Sequence, residues 1–321
     1  MRTVQQSAQI RFEPSDRSSD HHDDVILPAY QVAWRDAAQY ASKRTYAHAD
    51  YEVRIEMDWS AFARRKIEEV EALKRREDGP LSSDWTERLH RDVLVPATVT
   101  VTSADAPTNE LDCAVFLRYH IANVFLAMNL SAPGCCNLRS RGEGSEVRIY
   151  LEAYDFEWAW HASLDGRGPP VGAVPLQQCF KWLAPLEKRF VHVARSRLER
   201  VAVALLQVAG MNASPHSAVW LWYTLEALFR PAPRDIFRQV HGEVCKLLGA
   251  NAAQSSMLEQ SLRPLYKLRS RFTHGQIPVI HPYSADEFGE DADNEIVGYA
   301  DAHIAGFNTL LACAQAFARR A

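Results

Sequence analysis

The residues with the clearest chemical potential are an arginine and a histidine near the end of the chain, Arg269 and His274. The guanidinium of an arginine stays cationic and can hold a phosphate through two parallel hydrogen bonds. A histidine can take up and release a proton near neutral pH. The two side chains together supply what RNA cleavage without a metal ion requires, a carrier for the proton of the ribose 2′-hydroxyl and a cation on the phosphate oxygens.

A helix must position this pair. Leu265, Leu268 and Phe272 recur at the spacing of one buried helix face, and Gly275 predicts the helix end just after the histidine. In that last turn the negative pole of the helix favours a protonated imidazole. Five residues of a helix span about 140° of rotation, so the arginine and the histidine cannot share one face. Their convergence therefore requires unwinding at Gly275, a second copy of the chain, or both.

Neighbouring residues are expected to support the pair. Glu226 is the lone acid in a densely apolar helix. Because a buried unpaired carboxylate is costly, we expect it to orient Arg269 or His274 or to form a structural ion pair. Two hydroxyl-bearing residues are expected to contact the phosphate or to position the histidine: Ser270 and Tyr266. Three further cations are expected to line the same RNA-binding groove: Lys267, Arg271 and Arg263.

The charge of the chain is unevenly distributed. The formal net charge is −4, but residues 188–274 carry 13 lysines and arginines against 5 acidic residues, a net charge of +8. The rest of the chain then carries −12. A basic segment inside an acidic protein indicates either a polyanionic partner or a solvated basic helix face, and the charge count alone leaves both open.

The composition, with 47% hydrophobic and 24% charged residues, is that of an ordinary soluble globular protein, and a length of 321 residues favours two domains. No apolar run of membrane-spanning length and no secretory signal are found, so we expect no membrane association and a cytoplasmic location. The six cysteines include no C-x-x-C pair and are expected to be buried thiols. No phosphate-binding glycine loop, zinc-protease motif or nucleophile elbow occurs, so no cofactor and no metal are expected.

The first half of the chain predicts mixed secondary structure. Residues 1–24 are expected to form a flexible arm, in which the acidic and histidine residues 20–24 lack the framing element that a metal site needs. Residues 25–180 are expected to form a mixed α/β domain of unassigned role, whose residues 25–34 begin the first strand or an apolar anchor. Further predicted elements are helices at 59–77 and 109–129 and strands at 93–102, 147–154 and 156–162, with Pro96 at an edge or bulge.

The second half predicts an all-α bundle over residues 181–321. Its five helices are expected at 186–210, 218–229, 234–248, 255–274 and 294–320. Ser214-Pro215 is expected to open the second of these helices and Gly249 to end the third. An acidic, proline-containing segment at 276–293 is too irregular for a regular element. The whole chain is therefore predicted to be α+β, with a mixed α/β domain followed by a helical bundle.

Two segments of this second half carry a family resemblance. Leu225-Glu226-Ala227-Leu228-Phe229, followed by a further helix and then by Leu265-Tyr266, Arg269-Ser270 and His274-Gly275, resembles the HEPN superfamily and especially its Apea-like branch. The resemblance covers residues 186–318. It implies a HEPN-like bundle, a homodimer and a metal-independent endoribonuclease, often used in bacterial defence, with Arg269 and His274 as catalytic residues.

Alternatives to a nuclease remain open. The spacing of arginine and histidine alone recurs at Arg17–His22 and at Arg234–His241, and toxin members of the family often have Asn or Asp where this chain has Ser270. A HEPN-like module without catalysis would bind RNA, a nucleotide or a partner protein through the same groove. Other family members are modified by a nucleotidyltransferase. A regulatory protein or trigger is a further expected partner, at the N-terminal domain.

Overall fold

The computed structural model describes residues 2–13, 22–47, 51–76, 91–103, 110–140, 148–187, 193–209, 211, 214–277 and 289–321. The chain divides into two compact units. Unit 1 comprises residues 1–153, 172–193 and 318–321, and unit 2 comprises residues 154–171 and 194–317. The division is therefore discontinuous, whereas the sequence predicted a single boundary after residue 180.

The described elements make the protein α+β. The helices are, in chain order, α1 (Asp23–Tyr40), α2 (Ser60–Arg76), α3 (Glu110–Ser131), α4 (Tyr154–Leu164), α5 (Leu176–Glu187), α6 (Arg197–Val208), α7 (Pro215–Phe229), α8 (Ile236–Leu248), α9 (Ala252–Thr273) and α10 (Gly289–Ala318). The strands are β1 (Arg2–Phe12), β2 (Lys43–Ala47), β3 (Tyr51–Met57), β4 (Val93–Ser103), β5 (Leu138–Arg139) and β6 (Tyr150–Leu151). All six strands, with α1, α2, α3 and α5, belong to unit 1.

Unit 1 is built on an antiparallel sheet of strand order β1-β4-β3-β2. Residues of β4 alternate between the protein interior and a polar outer face, as its β-branched sequence predicted: Val95, Val99 and Val101 are buried, and Thr98, Thr100 and Thr102 are half-exposed. The helices α1, α2 and α3 supply large buried side chains to this core, among them Trp34, Phe62 and Phe125.

Pro96 lies in a central strand, so the predicted edge or bulge is wrong. It pairs with Gln9 of β1, and its carbonyl accepts the backbone N–H of Asp58 at 3.0 Å on the other side. The nitrogen and the carbonyl of a strand residue point toward the same neighbour, and the paired part of β3 ends at Met57, opposite Ala97. The missing N–H of the proline therefore removes no ladder bond.

Two other N-terminal predictions are also corrected. The first part of the supposed arm, residues 2–12, is the edge strand β1, because it pairs along its whole length with β4. Residues 25–34, expected to begin a strand or an anchor, lie within α1, where Ile26, Leu27 and Tyr30 form a buried face at helical spacing. Residues 14–21, with the first two residues of the acidic and histidine cluster, lie outside the described residues, and Asp23 and Asp24 begin α1.

The predicted strand at 156–162 is the helix α4 of unit 2. Phe156, Ala159 and Trp160 are buried at the spacing of one helix face, although aromatic residues favour strands by propensity. Within unit 2 every regular element that the structure describes is an α-helix.

The long helix predicted at 186–210 is also incorrect, since α5 ends at Glu187 and α6 begins at Arg197. Ser196 and Glu199 exchange hydrogen bonds in a capping box that starts α6. The predicted start of α7 at Ser214-Pro215 and the predicted end of α8 at Gly249 are confirmed.

The helix α3 is long and apolar enough, by length and composition alone, to cross a membrane between Cys113 and Ser131. Of this window 78% is buried inside the protein, which is compatible with a core helix of a soluble protein. All six cysteines are free thiols, and all but Cys245 are buried.

Candidate functional site

The end of α9 is closed by a complete set of capping hydrogen bonds. The backbone N–H of Gln276 donates to the carbonyl of Arg271 at 2.8 Å, and the N–H of Gly275 donates to that of Phe272 at 3.0 Å. These two hydrogen bonds form the Schellman motif, which requires a residue in the left-handed conformation. Gly275 is that residue, with a φ of 66°. His274 still donates its N–H to the Ser270 carbonyl at 3.2 Å. His274 is therefore the capping residue of α9, its N–H still belongs to the helical hydrogen-bond pattern, and the predicted helix end before Gly275 is confirmed.

Helices α7 and α9 lie antiparallel and in contact. The ring centroids of Trp222 and Tyr266 are 4.9 Å apart, and those of His216 and Phe272 are 4.8 Å apart. The start of α7 therefore contacts the end of α9. Phe237 of α8 stacks on Trp222 at 6.0 Å and lies 5.6 Å from Tyr266. This aromatic cluster holds the three helices together, and it gives Tyr266 a packing role.

Glu226 and Arg269 form an ion pair between α7 and α9. Glu226 Oε1 lies 3.5 Å from Arg269 Nη2 and accepts a hydrogen bond of 2.6 Å from Trp222 Nε1. The side chains of Arg269 and Glu226 are 30% and 22% exposed, so the pair is accessible from solvent. The expectation that Glu226 pairs with a cation is confirmed. Because an arginine has five N–H donors, the pair leaves Arg269 with donors for a further acceptor.

His274 lies on the opposite side of α9 from this pair. With Leu265 marking the buried face, helix geometry places Arg269 within about 40° of it and His274 about 180° away. His274 is exposed, and its side chain makes no hydrogen bond or ion pair with any residue that the structure describes. One chain therefore does not bring Arg269 and His274 together.

The other predicted site residues divide between the two faces. Lys267 is exposed and lies on the His274 side of the helix. Arg271 is exposed and donates to the Gln276 carbonyl at 3.4 Å. Arg263 is paired with Glu259 and lies over the Phe237 ring at 4.6 Å, so it is held by contacts that the sequence did not predict. Ser270 is half-buried and its carbonyl caps the helix end.

A buried Ser-His-Asp arrangement also occurs in unit 2, and the sequence reasoning missed it. His303 Nδ1 lies 2.9 Å from Ser217 Oγ, and His303 Nε2 lies 3.1 Å from Asp155 Oδ2. Ser217 is fully buried, and its hydroxyl donates to the Ser214 carbonyl at 2.8 Å and accepts the Ser214 N–H in the cap of α7. A catalytic serine must be accessible to its substrate, and Ser217 is not. We therefore assign a structural role to this cluster. No sequence motif marks it, because the three residues are far apart in the chain.

Unit 1 contains a second buried polar pair. The Tyr46 hydroxyl lies 2.8 Å from His120 Nδ1, and both side chains are essentially inaccessible. Burial lowers the pKa of His120 to about 3, with a smaller contribution from the nearby Arg44 cation. His120 is therefore neutral at physiological pH and has no cationic role.

Comparisons with known proteins add no family to this geometry, since no protein-family model, curated protein or solved structure matches the chain. Among the described residues, no group of three or more His, Cys, Asp and Glu side chains is arranged to hold a metal ion.

Proposed function

We propose that the protein is a metal-independent endoribonuclease of the HEPN type, whose active site forms between two copies of unit 2. The observation that supports this proposal is the arrangement on α9, where Glu226 fixes Arg269 on one side and His274 stands exposed among cations on the other. Each chain presents both groups to solvent. A second α9 can therefore bring the histidine of one copy to the arginine of the other.

In such a two-fold arrangement the two histidines divide the proton transfers. The neutral His274 of one copy takes the proton from the ribose 2′-hydroxyl, which then attacks the adjacent phosphorus. The protonated His274 of the other copy donates a proton to the departing 5′-oxygen. Arg269 stabilises the negative charge on the non-bridging oxygens, and the carboxylate of Glu226 keeps its guanidinium oriented.

A second function is RNA binding without cleavage, and the separation of Arg269 from His274 favours it. On α9 the two residues point to different sides, and Arg269 is already paired with Glu226. Without a second copy the helix then presents only a basic surface for a polyanion. The family resemblance also motivates the proposed role in bacterial defence. A cytoplasmic location is proposed separately, because no secretory signal was found in the sequence.

The deciding experiment incubates the intact protein and its His274→Ala variant with structured and unstructured RNAs in EDTA. His216→Ala is the matched control, since His216 is also exposed and lies against Phe272 at the same end of α9. Cleavage that survives in His216→Ala and is lost in His274→Ala, with RNA binding retained, supports the nuclease. Binding by the wild type without cleavage of any RNA supports the second function.

The shared site has its own test. Addition of excess His274→Ala protein to a fixed amount of wild type should lower the cleavage rate, because a mixed dimer holds only one of the two histidines that the reaction requires. An unchanged rate, with mixed dimers shown to form, would contradict a site shared between two copies.

A further inference from the structure

An arginine-rich loop joins α7 to α8, and its sequence is Arg230-Pro231-Ala232-Pro233-Arg234, with Arg238 one helical turn further on. We refer to residues 230–238 as the arginine loop. Its three arginines are exposed, and none of them forms an ion pair with a residue that the structure describes. The segment contains a single acid, Asp235, so positive charge is in excess.

The backbone of the arginine loop is fixed. Arg230 and Asp235 are the first and last residues of the connection between α7 and α8. Their φ values are 51° and 52°, and they are the two non-glycine residues with positive φ among those described. The Gln239 side chain accepts the N–H of Ala232 at 2.8 Å and donates to the carbonyls of Ala232 and Arg234. Pro231 and Pro233 fix their own φ angles through their rings. The arginines are therefore mounted on a loop that is already ordered before any ligand arrives.

The same surface continues onto α9. Phe237, which precedes Arg238, supports the Arg263 guanidinium 4.6 Å above its ring. Lys267 follows Arg263 by one helical turn, and His274 lies on the same outer side of α9 two turns beyond. Glu259 neutralises part of the charge of Arg263. A basic strip thus leads from the arginine loop toward the proposed proton carrier.

We propose that the arginine loop is a clamp for the phosphodiester backbone of RNA, which it contacts without reading the bases. A guanidinium group can donate two parallel hydrogen bonds to the oxygens of one phosphate, which a lysine cannot do. All three basic residues of the arginine loop are arginines. Contacts of this kind fix the register of a nucleic acid but carry no sequence information. This inference rests on the proposed function, in which RNA is the substrate. The arginine loop would contact nucleotides that flank the cleavage site, and His274 would act at the cleavage site itself.

The first test compares two double variants that lose the same charge. Arg234→Ala/Arg238→Ala removes two clamp residues, and Arg195→Ala/Arg197→Ala removes two exposed arginines at the start of α6. Binding of a 2′-O-methyl RNA, which cannot be cleaved through its 2′-oxygen, is followed by fluorescence anisotropy over a series of KCl concentrations. Each lost phosphate contact lowers the slope of log K against log salt by about 0.7, so the clamp variant should lose about 1.4 and the control much less.

A second variant separates charge from folding. Arg230 has the left-handed conformation that glycine adopts without strain, so Arg230→Gly removes the guanidinium and keeps the loop geometry. We expect an unchanged melting temperature and an RNA affinity lowered about three- to tenfold at low salt, as for one lost charge-assisted hydrogen bond. A folded Arg230→Gly protein that binds RNA like the wild type would remove Arg230 from the clamp.

The outcomes distinguish this inference from the function on which it rests. Equal affinity and salt slope in the clamp and control double variants, with a wild type that binds RNA, overturn the clamp alone. A wild type that neither binds nor cleaves RNA overturns both proposals. Competition by a polyglutamate peptide as strong as that by RNA of equal charge would also overturn the clamp and assign the loop to an acidic protein partner.

Discussion

Arg269 of α9 is joined to Glu226 of α7 by an ion pair of 3.5 Å, and Trp222 Nε1 fixes the same carboxylate oxygen through a hydrogen bond of 2.6 Å. Trp222 is fully buried and stacks on Phe237, so it is a rigid anchor for Glu226. The orientation of Arg269 therefore depends on the aromatic cluster that holds α7, α8 and α9 together.

The first prediction concerns Glu226→Gln. The amide oxygen of the glutamine can still accept the Trp222 hydrogen bond. The side chain is neutral, however, so it no longer attracts the Arg269 cation by charge. We expect the maximal cleavage rate to fall about tenfold, with little change in RNA affinity, because Arg269 loses the charged partner that orients it on the phosphate. Because the pair is partly exposed, the free energy of unfolding should change by less than about 1 kcal/mol.

Single-turnover cleavage at saturating RNA measures this effect, and Glu259→Gln is the control, since Glu259 pairs with Arg263 on the same helix. An unchanged rate in Glu226→Gln, with lowered stability, would show that the pair serves only the packing of α7 on α9.

The helix boundaries near the site could be predicted from the sequence, because each depends on only a few neighbouring residues. Gly275 supplies the positive φ of the Schellman motif, and Ser214-Pro215 supplies both the cap and the first turn of α7. The pairing of Glu226 also followed from the cost of burying a lone carboxylate. These features were predicted correctly without knowledge of the tertiary structure.

Features that depend on distant segments were missed. β1 is a strand because β4 pairs with it about ninety residues later, and its own polar sequence does not announce this. The stacking of Arg263 on Phe237 was not predicted, and the choice between Arg269 and His274 as the partner of Glu226 was left open, because both depend on how α7, α8 and α9 pack. Propensity misled the prediction at α4, whose aromatic residues serve a buried helix face.

The second prediction concerns the close approach of α10 to the rest of unit 2. A Cβ atom on Gly306 would lie 2.8 Å from Leu265 Cδ2 and 3.0 Å from Leu221 Cδ1, both in buried side chains. Overpacking of this kind costs about 1–3 kcal/mol, against which alanine gains up to about 1 kcal/mol of helix propensity. We expect Gly306→Ala to lower the free energy of unfolding by about 1 kcal/mol and Gly306→Val to lower it further.

Gly298 provides the matched control, because it lies in the same helix and has nothing within 4 Å of its added Cβ. Gly298→Ala should raise the free energy of unfolding by about 0.5–1 kcal/mol in the same urea titration. A stabilised Gly306→Ala protein would show that α10 can move away from Leu265 at no cost.

The third prediction concerns Asn129, which is fully buried at the end of α3. Its Nδ2 donates to the carbonyls of Phe125 and Cys136 at 3.0 and 2.9 Å, and its Oδ1 accepts the N–H groups of Gly134 and Cys136. Asn129→Asp replaces the two donors by an oxygen that faces two carbonyls. We expect the free energy of unfolding to fall by about 3 kcal/mol at pH 7, as measured by denaturant titration.

Asn137→Asp is the control for this substitution. The Oδ1 atom of Asn137 accepts the N–H of Ala153 at 2.6 Å, and an aspartate can still accept that bond. Its effect should stay within about 0.5 kcal/mol. Similar effects at the two positions would contradict the assignment of Asn129 as the residue that fixes the turn after α3.

The last prediction concerns the pH dependence of stability that arises from His120. In the folded protein, burial lowers the pKa of His120 to about 3, whereas in the unfolded chain a histidine titrates near its ordinary value of about 6.5. Between these values the unfolded state binds a proton that the folded state does not. The contribution of His120 to stability is therefore complete above about pH 6.5 and is lost as the pH falls, at up to about 1.4 kcal/mol per pH unit.

Urea unfolding of the wild type and of His120→Gln between pH 8 and pH 4.5 measures this contribution. The variant lowers stability at pH 8 by loss of packing and of the bond to Tyr46, but the difference between the two proteins should shrink as the pH falls below 6.5. Burial also raises the pKa of the Glu187 carboxyl. This group is present in both proteins, so its contribution to the pH dependence cancels in the difference between them. A difference that stays constant down to pH 4.5 would show that His120 takes up its proton in the folded state at its ordinary pKa.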